Sequence, residues 1–86
     1  MPEVSRFYGI SIFLYPREHP PAHFHAFYGD DEAVVGITSV QVMEGTLPNR
    51  ANKLVLTWAE LHRAELLAAW ERLRAGQPPG KIAPLD

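Results

Sequence analysis

The 86-residue chain contains no cysteine. Disulfides, thiolate zinc ribbons and cysteine nucleophiles are excluded together, so a metal could be held only by His, Asp, Glu or backbone oxygen. Basic residues are also in short supply. Eight Lys and Arg face ten Asp and Glu, for a formal net charge of −2. A phosphate backbone requires a cluster of cations, and this balance does not support a nucleic-acid partner. The local groupings Arg50 with Lys53, and Arg63 with Arg72 and Arg74, read as an ordinary solvated helix face. No apolar run approaches the ~18–20 residues that span a bilayer, there is no glycine-rich phosphate loop, and Ser5, Ser11 and Ser39 lack a recognisable nucleophile context. The opening "MPEVSRFYGISIFLYP" carries an acid and an arginine ahead of a short apolar stretch, without the basic region and cleavage site of a secretory leader. These absences set the expectation of a cytoplasmic protein with no membrane segment.

What is present reads as one folded domain over residues 1–86, with hydrophobic and charged fractions of 47% and 21%. The alternation in "FYGISIFLY" predicts a strand over about 7–15, stopped by Pro16. The proline-rich "PREHPPA" is a loop. Further strands are expected at about 23–28, 32–37 and 39–44, the first of them closed by the turn signal "GDD" at Gly29 to Asp31.

At Pro48 the period changes from two to three and four. Ala51, Val55, Trp58, His62, Leu66, Ala69, Trp70 and Leu73 form one stripe, predicting a single long helix over about 48–75, followed by an extended tail over 76–86. "TWAE" at Thr57 to Glu60 matches a capping box that could mark a break, but the unbroken stripe favours continuity. The expected fold is therefore α+β: a small antiparallel meander of three to four strands packed against one long C-terminal helix. The periodic part of that helix, 49–74, would run roughly 39 Å at ~1.5 Å per residue, against ~17–20 Å for a strand. One small sheet cannot cover it. The surplus, including Leu56, Leu67 and Trp70, is expected at an interface with a second copy, forming a homo-oligomer, or with a small partner protein. The tail "QPPGKIAPLD" is either a flexible end or an extended arm with Ile82 and Leu85 as apolar pegs.

Three of the four histidines fall within seven positions of "EHPPAHFHAFYG". Residues two apart on a strand point to one side, so His23 and His25 can lean on one ion, with His19 folded back from the proline-stiffened loop. His19, His23 and His25 are thus candidate ligands for a divalent transition metal, zinc or nickel, with Glu18, Asp30 or Asp31 available to complete the shell. Outward-facing histidines beside a turn are the plainer alternative. A third reading is acid/base chemistry on a phosphodiester by His23 and His25, with Arg17 or Arg6 stabilising charge. That would make the chain a ribonuclease-like toxin, and whether it is an enzyme stays open. Because burying two imidazoles costs more than burying Phe24 and Ala26, the histidine pair is expected to face outward. His62, in the apolar stripe, reads as a core-edge histidine with one satisfied nitrogen.

Taken in order, Glu18–His19, the "HFH" of His23 to His25, Tyr28–Gly29, Leu47–Pro48 and "WAELHRAEL" before Trp70 resemble a small bacterial family, the domain of unknown function 4160. The likeness runs from Ser5 to Leu85. It departs at Ala22, where the family usually has a second proline directly before "HFH". The resemblance implies pairing with a small partner in a two-gene, toxin–antitoxin-like module, and it supplies no catalytic residues.

Overall fold

Period-two alternation builds five short strands in the computed structural model, which describes residues 3–86. They are β1 (Glu3–Phe7), β2 (Ile10–Phe13), β3 (His23–Tyr28), β4 (Asp31–Gly36) and β5 (Val42–Gly45). All pair antiparallel in chain order, giving the expected meander with one more strand than anticipated. The extra strand arises where a continuous strand over 7–15 was expected. Tyr8 and Gly9 both take positive φ, 50° and 79°, and fold the chain into a two-residue hairpin with Phe7 opposite Ile10. Gly9 adopts that backbone at little cost. Val4 and Phe7 thereby join Ile10, Ile12 and Leu14 in the core, while Tyr8 stays 53% exposed at the turn. Gly29, at φ 58°, makes the next hairpin, with Tyr28 opposite Asp31.

The single long helix is also corrected. Two helices form, α1 (Asn49–Leu61) and α2 (Arg63–Arg74), and the break falls at His62 rather than at the Thr57 capping box. His62 leaves helical geometry at φ −113° and ψ 23°. Its N–H still donates to the Trp58 carbonyl at 3.0 Å, and its own carbonyl accepts from the Leu66 N–H at 2.9 Å. The chain can therefore bend there without orphaning those backbone groups.

The bend answers the length argument. Ala51, Val55, Trp58 and Ala59 of α1 and Leu66, Ala69 and Trp70 of α2 all reach the same core cluster as the inward residues of the sheet. Trp58 is its centre, with Phe7 at 5.3 Å and Phe24 edge-on at 5.8 Å between ring centroids. The surplus assigned above to a partner is largely covered by the chain itself: Trp70 is only 4% exposed, and Leu56 and Leu67 are partly buried against the core.

The C-terminal segment is an extended arm. The Ile82 N–H donates to the Val4 carbonyl at 2.8 Å, the Trp58 indole N–H donates to the Ala83 carbonyl at 2.8 Å, and Lys81 donates to the Glu3 carbonyl at 2.7 Å. Ile82 is 5% exposed, and Leu85 is partly buried. Ile82→Ala should cost about 2–3 kcal/mol in urea denaturation. A cost within error of zero would mean that the arm is not seated on the core in solution.

Candidate metal centre

On β3 the alternation sends Phe24 and Ala26 fully into the core and leaves His23, His25 and Phe27 half-buried on the other face. The histidine pair therefore faces away from Trp58, as the cost of burying imidazole requires. The loop between β2 and β3 then crosses in front of it. Pro16 and Arg17 turn the chain, the Pro20–Pro21 peptide is cis, and between them Glu18 reaches over the strand. Glu18 Oε1 lies 2.5 Å from His25 Nε2 and 3.3 Å from His23 Nε2. One ligand atom from each of the three residues falls within 4.8 Å of the others.

The remaining ring nitrogens are held from behind. His23 Nδ1 donates to the Pro21 carbonyl at 2.8 Å, and His25 Nδ1 faces Glu32 Oε2 at 3.0 Å. The rings are also braced by neighbours. Trp70 packs on His23 with centroids 5.1 Å apart, and Tyr15 meets His25 edge-on at 4.8 Å. Phe27 stacks against His25 within 13° of parallel. Trp70, expected at an interface, is thus occupied by a histidine of its own chain.

His23 and His25 come together, whereas His19 stands exposed on the rim of the shallow groove that they line, outside the three-residue cluster. Asp30 and Asp31 lie exposed at the β3–β4 hairpin and do not enter the cluster. Glu32 is the residue that sequence reasoning missed. The hairpin pairs it with Phe27, two residues along from His25, so its carboxylate can lean diagonally across the strands. The turn signal at Gly29 carried that register. His62 is half-buried against Trp58 at 5.5 Å, with Nδ1 on Glu65 Oε1 at 2.6 Å. Its core-edge reading is met.

Two acid–base equilibria are displaced. Burial alone would raise the Glu18 carboxyl, but the hydrogen bond and charge of His25, then those of His23, outweigh it and hold the group below its usual value. The Tyr15 phenol is raised by burial and then by the charges of Glu32 and Glu18.

A family model described as "Domain of unknown function (DUF4160)" matches residues 9–71. That span includes Glu18, His23, His25, Glu32 and Trp70 and stops short of the arm. Among curated proteins, and likewise among solved structures, none matches this chain.

A depressed Glu18 value fixes the sign of its linkage to folding. Its contribution is complete above the ordinary glutamate range and disappears as pH falls through the lower folded value. Thermal melts of wild type and Glu18→Gln should therefore differ at neutral pH and converge on acidification. A gap that persists unchanged to about pH 2, below the usual carboxylate range, would contradict the contacts described for Glu18.

Proposed function

The chain belongs to the DUF4160 family, a domain of unknown function, and from its own geometry we propose that it is a small interaction module holding a divalent transition metal on Glu18, His23 and His25. One observation carries this reading. Both imidazoles have Nδ1 engaged from behind, by the Pro21 carbonyl and by Glu32, so that both Nε2 atoms turn toward one carboxylate oxygen. Outer partners of this kind orient histidine ligands and raise their basicity in metal sites.

The spacing supports it. Ligand atoms about 2.0–2.1 Å from a tetrahedral ion sit about 3.3–3.4 Å from one another, and His23 Nε2 to Glu18 Oε1 is already 3.3 Å. The 2.5 Å contact of His25 with Glu18 would open by less than about 1 Å on replacing a proton by the ion. Two imidazoles and a carboxylate suit zinc or nickel better than magnesium or calcium. The fourth position is left to water, to an exchangeable ligand, or to His19 if its loop swings inward.

The same carboxylate weighs against the ribonuclease-like alternative. A phosphodiester flanked by His23 and His25 would have to enter where Glu18 already stands, and like charges there are unfavourable. Pairing with a second copy or a small partner is retained, but it now rests on the exposed Tyr8, Tyr28, Met43 and Leu61 rather than on Trp70. Light scattering at tens of micromolar tests the self-pairing, and a strict monomer removes it.

For the metal, protein purified without a histidine tag should carry near-stoichiometric zinc or nickel by elemental analysis. His23→Ala with His25→Ala should abolish it, and Glu32→Gln should weaken affinity by about 10- to 100-fold. Nickel or copper added to metal-free protein should quench Trp70 fluorescence through the adjacent His23, and Trp70→Phe should remove that quenching. Metal content indifferent to the double substitution would refute the site.

A further inference from the structure

The loop that presents Glu18 has a second flank. There a groove of about 580 Å³ runs between the loop and the end of α2, with Pro16, Arg17, His19, Leu73, Arg74 and Gly76 among its walls. Its polar lining is Arg17, Arg74 and His19, together with one acid, Glu18. Glu18 Oε1 is turned to His23 and His25 on the other side of the loop.

The groove's arginines are also unspent. Arg6 pairs with Glu3, Arg63 donates to the Thr38 carbonyl, and Arg72 donates to the Pro79 carbonyl. Arg17, Arg74 and His19, like Arg50 outside the groove, have no hydrogen bond or ion pair among the described residues. An exposed arginine near a helix C-terminus, as Arg74 is, complements the helix dipole and is ordinary by itself.

Arg17 is not ordinary. It follows Pro16 in the turn at φ 66°, a left-handed position that turns of this kind give to Gly or Asn. A side chain with a Cβ is less favourable there than in ordinary backbone. Glycine would hold the turn more cheaply, so the guanidinium is the feature that sets this position apart. Residues held in such backbone regions concentrate at binding and catalytic sites.

We propose that this groove binds a small, multiply charged oxyanion of the phosphate class, with Arg17 and Arg74 as opposed guanidinium clamps and His19 as a third donor. Guanidinium forks match phosphate oxygens two at a time, and Leu73 gives the pocket an apolar wall against which those bonds are partly shielded from water. The site does not rest on the metal centre and is tested without it.

The experiment is calorimetric titration of inorganic pyrophosphate into metal-stripped protein, with succinate at matched ionic strength as the comparison. Pyrophosphate should bind at least about tenfold tighter than succinate, and Arg17→Gly and Arg74→Gln should each weaken it by about 10- to 100-fold. Arg17→Gly should melt no lower than wild type, because it relieves the turn, which separates lost binding from lost folding. Arg50→Gln, an arginine on α1 that does not line the groove, should leave affinity unchanged. No heat with wild type, equal affinity for succinate, or equal losses from Arg50→Gln and Arg17→Gly would each overturn the proposal.

Discussion

A carboxylate held between two imidazoles has to be carried there by backbone, and in this chain the carrier is the proline-bounded segment between β2 and β3. Among the described residues, Glu18 is the one side chain that hydrogen-bonds both His23 and His25. It does so because Pro16, Pro20 and Pro21 restrict the backbone on either side and leave few conformations to lose. The strand beneath is equally constrained. Phe24 and Ala26 cannot leave the core without exposing apolar surface beside Trp58, and while they stay inward the residues on either side must face the loop. Core packing therefore aims the two rings, and the loop supplies what they aim at.

The rings are fixed more tightly than a pair of surface histidines would be. His25 sits between Tyr15 on its edge and Phe27 on its face, and Phe13 meets Phe27 edge-on at 5.5 Å. His23 leans on Trp70. Each contact restricts the ring and removes water from around it, so charges in the cluster interact more strongly than at the surface. The raised Tyr15 and lowered Glu18 are two consequences of that one environment. Tyr15 loses solvent and faces carboxylates, whereas Glu18 loses solvent but gains donors.

How much of this was legible in the chain follows from where the information lies. The outward His23–His25 pair and the inward Phe24 and Ala26 are local consequences of a period of two, and they were readable. From sequence Glu18 reads only as an accessory ligand, because its approach depends on a turn with positive φ at Arg17, which residue type does not announce. Glu32 required the β3–β4 register rather than a spacing within one strand. The hairpin at Tyr8 and Gly9 was hidden because "FYGISIFLY" is apolar on both sides of the turn; only the isolated glycine hinted at it. The break at His62 left no mark in the hydrophobic stripe, since both helices present their apolar faces to the same core. The arm was recognisable as proline-rich, but its docking depends on Val4 and Trp58, far away in sequence.

The two candidate sites are built on consecutive residues with opposite charge, Arg17 and Glu18, carried by one short segment. Glu18 Oε1 pairs with the imidazoles of His23 and His25 rather than with Arg17. Glu18, His19 and Pro20 line the grooves on both sides, so the two proposed sites share these residues. Should both proposed sites bind, a ligand on one side would restrain residues that the other also uses, and any coupling between them would be reciprocal. Such coupling would require no rearrangement of the sheet or the helices. It would require only that Arg17, Glu18 and His19, bounded by Pro16 and Pro20, move as a unit.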